Sequence, residues 1–252
     1  MTKNAMSDSG TATALPSHGR IVCRRCFSDS NPLVVGKWQV VNDPGAWGSS
    51  EPEILILGFS KGFTQADAYR VGRFEDIPFK AMRPRLTEVL RAIGTLKSSE
   101  IVDEKMVGSE KYLAFGSLVR CSLSRMNEKN GRRECTGQVM PKAFVEDVSI
   151  VVRRCAETFL STLPASLRLV LMLGTTDAYI QGCKRLINSL YPNNFVELNE
   201  VSYRTGQVHW IHVSHPSPLN GHHRDWIEAA QGTKPGRKRN LAQDTIGLAL
   251  TN

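Results

Sequence analysis

Two groups of residues in this chain have types and spacings that can do chemistry. The first is the run Ser214-His215-Pro216-Ser217-Pro218-Leu219-Asn220. A histidine is the side chain best suited to donate or accept a proton near neutral pH. Its two prolines fix φ and remove donors, so a loop can hold side chains without a strand ladder. Asn220-Gly221 adds a turn signal. The plain reading is a strand-to-helix turn carrying a surface histidine. The second group is six cysteines: Cys23, Cys26, Cys121, Cys135, Cys155 and Cys183. Cys23-Arg24-Arg25-Cys26 is a Cys-x-x-Cys pair with no strand pattern before it and no helical pattern after it. That argues against a thioredoxin-like redox site and for a metal or cluster. Two thiolates at this spacing hold one metal or one cluster edge and need two more ligands.

These residues need elements to position them. Val208 to Val213 alternates and is β-branched, so a strand leads into the His215 loop. Ile54-Leu55-Ile56-Leu57 is a continuous apolar run, the pattern of a strand buried on both faces. Gly58-Phe59-Ser60-Lys61-Gly62 follows as a Gly-flanked loop at that strand's C-terminal end, where open α/β sheets bind ligands. Tyr112 to Cys121 and Leu167 to Gly174 read as two more buried strands, and Phe195 to Tyr203 as a further one. Pro84 to Gly94 reads as a helix, with Leu86, Val89, Leu90 and Ile93 on one face. Lys142 to Leu163, Thr175 to Leu190, Asp225 to Gln231 and Arg237 to Leu250 complete the helices. Trp38 to Trp47 and Ser122 to Pro141 read as loops. Strands and helices alternate, so the class is α/β with a mainly parallel sheet.

Composition sets the bounds. The chain has 252 residues, 41% of them hydrophobic, enough for one domain with a real core. No apolar run reaches the ~18 residues of a membrane span. Residues 1–20 are polar and lack an apolar signal core, so they read as a disordered leader on a cytoplasmic protein. The net charge of +8 favours a polyanionic partner. Disulfides are the less expected use of cysteine in such a chain.

The His-Pro-Ser-Pro-Leu run after a strand resembles the second motif of the uracil-DNA glycosylase superfamily. The order of parts from Cys23 onward is similar to its iron–sulfur branch, the family-four type. There a Cys-x-x-Cys precedes the first strand, a catalytic loop follows that strand, and a Pro-Phe (here Pro78-Phe79) precedes a helix. A third cysteine ends a strand, as Cys121 ends Ser117-Leu118-Val119-Arg120-Cys121. A fourth lies on a helix ahead of a turn like Leu173 to Ala178, where this chain has Cys155. The resemblance implies a single three-layer α/β/α domain over residues 21–252. It also implies a four-iron, four-sulfur cluster held by Cys23, Cys26, Cys121 and Cys155. Cys135 competes for the fourth place, because only 13 residues separate it from Cys121 against 33 for Cys155. Zinc on Cys23 and Cys26 is the other reading of the pair. Cys183 reads as an ordinary buried thiol.

The same resemblance implies roles in excising a deaminated or damaged base from DNA. His215 faces the leaving base, Phe79 stacks on it, and Leu219 wedges into the duplex. Ser217 contacts phosphate, and Gly58, Phe59 and Gly62 form the first loop around the substrate. Arg224, Lys234 and Arg237 are the expected contacts to the DNA backbone. The chain departs from the family twice. Its first loop has no carboxylate or amide to hold water, leaving Ser60, with Gln65 and Asp67 as fallbacks. Ser117 stands where relatives carry the asparagine that reads the uracil edge, and a serine cannot form that bidentate pair. The expected protein is a monomeric, nucleoid-associated DNA glycosylase. The alternative is an iron–sulfur nucleic-acid-binding protein on the same fold with little or no activity.

Overall fold

A computed structural model describes residues 14–28 and 31–251. Its strands, in chain order, are β1 (Gly19–Arg20), β2 (Leu33–Val35), β3 (Trp38–Val41), β4 (Gly45–Gly48), β5 (Ile54–Gly58), β6 (Leu113–Ser117), β7 (Ser122–Asn127), β8 (Arg132–Glu134), β9 (Leu169–Leu173), β10 (Phe195–Asn199), β11 (Ser202–Thr205) and β12 (Val208–Val213). The helices are α1 (Phe63–Val71), α2 (Arg83–Ala92), α3 (Ser149–Leu160), α4 (Asp177–Leu190), α5 (His223–Ile227) and α6 (Lys234–Thr251).

The apolar runs form the middle of an eight-stranded sheet in the order β1-β4-β6-β5-β9-β12-β11-β10. Its four central strands, β6, β5, β9 and β12, are parallel. The pairings outward from them are antiparallel. Alternate residues feed two cores. Leu55, Leu57, Val170 and Met172 pack with Val152 and Ala156 of α3 and with Cys183 and Ile187 of α4. Ile54, Ile56, Leu169 and Leu171 pack with Leu86 and Leu90 of α2 and with Ala242 and Ile246 of α6. Both faces of the central strands are therefore covered, which is why these runs are apolar at every position. Each fully buried Leu or Ile contributes about 1.5–3 kcal/mol relative to exposure. The fold class is α/β in three layers, as expected.

Other expectations need correction. Trp38 to Trp47 contains β3 and β4, and Ser122 to Pro141 contains the hairpin β7–β8. The strands β2-β3-β7-β8 make a second, antiparallel sheet. Long-range pairing forms it: Ser122 and Ser124 lie opposite Val41 and Gln39, and both serines are buried. Trp38 is fully buried, and its Nε1 donates to Glu146 Oε2 at 2.7 Å. Arg125 clamps the same carboxylate at 2.8 and 2.9 Å. The helix expected from Lys142 begins only at Ser149, after a short 3₁₀ turn over Met140–Phe144. That turn puts Phe144 against Gly182 of α4, where an added Cβ would lie 2.3 Å from the ring. Of the expected leader, residues 1–13 lie outside the described residues. Residues 14–20 are part of the fold: Leu15 is buried and its N–H donates to Ser50 O, and β1 pairs with β4. No helix among the described residues is long and apolar enough to cross a membrane.

The parallel strands β5, β6, β9 and β12 all end at the same edge of the sheet. The Gly58 loop, Ser117, Gly174 and the His215 loop leave from that edge.

Candidate active site and a cysteine-lined cavity

The His215 loop is latched from several sides. Asn220 Nδ2 donates to His215 O at 2.9 Å and to Ser214 Oγ at 3.0 Å. Arg85 on α2 donates to Ser217 O at 2.6 Å and more weakly to Asn220 O at 3.4 Å. Ser214 Oγ meets His223 Nδ1 at 3.3 Å, and His223 Nε2 meets Glu88 Oε2 at 3.2 Å. The loop is thus tied to the helix that follows Phe79. Sequence reasoning missed Arg85, Glu88, Asn220 and His223 as holders of the site. Arg85 and Glu88 carry no local signal, since charges on an amphipathic helix read as a solvated face. Arg85→Ala is expected to speed hydrogen exchange at the Leu219 and Asn220 amides by roughly tenfold or more, because hydrogen bonds from charged groups are worth about 1.5–3 kcal/mol. Unchanged exchange would show that Arg85 does not restrain the loop.

His215 is half-buried. The Ser217 N–H donates to its Nδ1 at 3.1 Å. That bond assigns Nδ1 as the acceptor, so the neutral ring carries its proton on Nε2. Burial, and then the nearby charges of Arg85 and His223, push its pKa down to about 4. The ring at neutral pH is therefore an uncharged N–H donor. A free imidazole has a pKa near ~6.5. As pH falls, the unfolded chain takes up this proton first, so the group withdraws stability between pH ~6.5 and about 4. Long-range ¹⁵N–¹H spectra are expected to show the Nε2–H tautomer, with no titration above about pH 5. A midpoint near 6.5, or an Nδ1–H tautomer, would contradict this. At the tip of the loop Leu219 is 85% exposed, an unusual place for a large apolar side chain. Its N–H donates to Ser217 Oγ at 3.2 Å.

The first loop leaves β5 at Gly58, which pairs with Ser117 of β6. The Phe79 ring covers Gly58: a Cβ built there would lie 3.6 Å from Phe79 Cε1. Phe79 has φ of 52°, a left-handed conformation that non-glycine residues adopt at a cost of about 1 kcal/mol or more. Such strain persists where the surroundings enforce it, often at functional sites. The Phe59 side chain turns into the core, edge-on to Phe144 at 5.3 Å and to Tyr179 at 6.0 Å. Phe59 can therefore face a substrate only with its backbone, and its carbonyl already accepts from Val119 N at 2.8 Å. Ser60 is half-buried, and its Oγ has a weak acceptor, Met140 Sδ, at 3.7 Å. Lys61 turns inward, is 3% exposed, donates to Arg120 O and pairs with Asp43 at 3.3 Å. Of the two fallback water holders, Gln65 is buried on α1, while Asp67 is exposed and pairs with Arg70 at 3.1 Å.

Four cysteines line one narrow cavity: Cys23, Cys26, Cys121 and Cys155, with Arg120 and Arg154 among their neighbours. They come from the N-terminal turn, from the segment between β6 and β7, and from α3. Cys155 lies close enough to Cys23 and Cys26, and Cys121 to Cys155, for their charges to interact. Burial pushes the Cys121 thiol up to about 12 and the Cys155 thiol up to about 11. Metal binding here would therefore release protons. Among the described residues, no group of three or more His, Cys, Asp or Glu side chains is spaced to hold a single metal ion. Cys135 is elsewhere. A Cβ at Gly62 would lie 3.6 Å from its sulfur. Cys183 is buried on α4.

The three expected backbone contacts all carry carboxylate partners. Arg224 pairs with Glu228 at 2.8 Å, Lys234 with Asp177 at 2.5 Å and Arg237 with Glu200 at 2.9 Å. Lys234 and Arg237 also line an open surface cavity of about 680 Å³ at the start of α6.

No family model and no curated protein matches the chain. Among solved structures, it is similar to that of wild-type SMUG2 from Pedobacter heparinus, with a TM-score of 0.43 and 11% identity, over 91% of this chain and 95% of that one.

Proposed function

We propose that this chain is a DNA glycosylase that hydrolyses the N-glycosidic bond of uracil or another deaminated or damaged base. One observation carries the reading: a histidine whose Nδ1 accepts from the Ser217 N–H, leaving the proton on Nε2, on a loop latched to α2. Breaking a glycosidic bond puts negative charge on the leaving base and positive charge on the sugar. A preorganised donor aimed at the base oxygen stabilises that charge, and one such donor is worth about 2.7–4 kcal/mol. His215 is suited to this because its proton costs nothing to retain at neutral pH.

The other roles follow from the same edge of the sheet. The target nucleotide must leave the stack, at a cost of a few kcal/mol. Leu219, exposed at the loop tip, fills the space left behind. Phe79, 5% exposed with its ring beside Gly58, is the residue for the flipped base to stack on. The Ser117 hydroxyl is a single donor and acceptor, compatible with more than one base edge. Ser217 contacts phosphate. Ser60 holds the attacking water, its hydroxyl having only a thioether as acceptor among the described residues. Arg224, Lys234 and Arg237 contact the DNA backbone. Their present ion pairs lie at the exposed surface, where water screens them, so a phosphate can displace the carboxylates.

Cys23, Cys26, Cys121 and Cys155 are the proposed holders of a four-iron, four-sulfur cluster. The four line one cavity. The cluster's contribution is structural: it ties the N-terminal turn to α3 and to the segment after β6. A second reading, a nucleic-acid-binding protein on this fold without excision, is favoured by the lack of a carboxylate in the first loop and by Ser117. The two are separated by incubating the purified protein with oligonucleotides carrying uracil, hypoxanthine or xanthine, single-stranded and paired. Alkali then cleaves any abasic sites. Cleavage at one modified base supports the enzyme and names its substrate. Tight binding with no cleavage of any substrate supports the second reading.

A further inference from the structure

We propose that Arg120 is the buried countercharge and hydrogen-bond donor for an anionic iron–sulfur group in the cysteine cavity, an inference that rests on the cluster reading above. Arg120 is 2% exposed. Its Nη1 lies 3.5 Å from Gly45 O, at the outer limit of a hydrogen bond. Its Nε has no hydrogen-bond partner among the described residues. The guanidinium sits 5.5 Å from the Phe159 ring centroid, and among the described residues it forms no ion pair. Buried donors find acceptors, and a buried cation without a counter-ion costs several kcal/mol.

The fold nonetheless makes room for this cation. At Gly116 of β6 an added Cβ would lie 1.9 Å from Arg120 Nη1, so any side chain there would expel the guanidinium. Lys61, the other buried cation nearby, differs because Asp43 answers its charge at 3.3 Å. That carboxylate is occupied further by the Ser122 N–H at 2.7 Å. The missing acceptor for Arg120 must come from the cavity it lines. Its backbone already points there, since the Arg120 N–H donates to Cys155 Sγ at 3.2 Å. A cluster held by four thiolates supplies what is missing, because the thiolate charges outweigh the positive core and leave sulfur acceptors at its surface. Hydrogen bonds and nearby charge are among the terms that set the potential of such a group.

The test uses the full chain, with the cluster reconstituted without oxygen, as wild type, Arg120→Lys and Arg120→Gln. Glutamine keeps a polar donor in the buried site but removes the charge; lysine keeps the charge. Circular dichroism checks the fold of each. Iron and sulfide content, the midpoint potential and the lifetime of the visible absorption under chelator are measured. Arg120→Gln is expected to lose its cluster ~10- to 100-fold faster, the usual range for removing a group that bonds to metal ligands. Its midpoint potential is expected to move to more negative values, and Arg120→Lys to restore most of both. Equal potentials and lifetimes in all three proteins would overturn the proposal and leave the cluster standing. A lysine variant as impaired as the glutamine one would reduce Arg120 to a packing role. A wild type that takes up neither iron nor sulfide would sink the cluster reading and this inference with it.

Discussion

His215→Ala is expected to lower the rate of base excision by roughly 100- to 1000-fold, the loss seen when one preorganised donor to a developing oxyanion is removed. Affinity for the same DNA should barely change. The reason is the geometry of the loop. Its backbone is fixed by Arg85, by the Asn220 side chain and by the Ser214–His223–Glu88 chain of hydrogen bonds, none of which needs the imidazole. Removing the ring deletes the Nε2–H donor and the acceptor of the Ser217 N–H, and leaves these other latches in place. On the proposed reading the Nε2–H acts on charge that exists only as the bond breaks, so its loss is expected to fall on the chemical step. Single-turnover kinetics on one modified oligonucleotide, with binding measured in parallel, checks this. A drop of less than threefold would remove His215 from the chemistry. An equal loss of binding would make it a DNA contact instead.

The second large effect is all-or-none. Cys121→Ser and Cys155→Ser are each expected to yield colourless protein, against about four irons per chain for wild type. Cys135→Ser is expected to keep the full iron content. Cys121 and Cys155 face the same cavity as Cys23 and Cys26, whereas Cys135 lies by Gly62 at the start of α1. Loss of a structural metal group removes binding energy that is also folding energy, so both variants should also melt well below wild type. Iron and sulfide analysis beside thermal unfolding decides the point. A Cys135→Ser protein without iron, beside a Cys155→Ser protein with it, would reverse the ligand assignment.

The parts of this molecule that could be read from the chain are those set by local pattern. Ile54 to Leu57 and Leu169 to Leu173 announce themselves as buried parallel strands because both faces are covered. The His215 loop is legible because proline and Asn-Gly restrict the backbone wherever they occur. The hairpin β7–β8 was not legible. Ser122-Leu123-Ser124 is polar by composition and becomes a strand only through pairing with β3, over 80 residues earlier in the chain. Such non-local pairing leaves little trace in a short window. The late start of α3 has the same origin, since Phe144 is placed by its contacts with Phe59 and Gly182. In the site, Phe59 looked available as the first residue of a Gly-flanked loop, yet an aromatic next to a buried strand finds the core first. Lys61, in the same loop, is buried and paired with Asp43, which nothing in its local sequence signals. Arg85, Glu88 and Arg120 owe their places to tertiary contacts alone.

Base excision is tested by looking for the released base itself. The purified chain would be incubated with an oligonucleotide containing one uracil, and with matched hypoxanthine and xanthine oligonucleotides, and the supernatant separated by chromatography with mass detection. Intact free base is expected from at least one substrate, in amounts equal to the abasic sites formed and strongly reduced with His215→Ala. No free base from any of the three, by protein that is folded and binds the DNA, would contradict it.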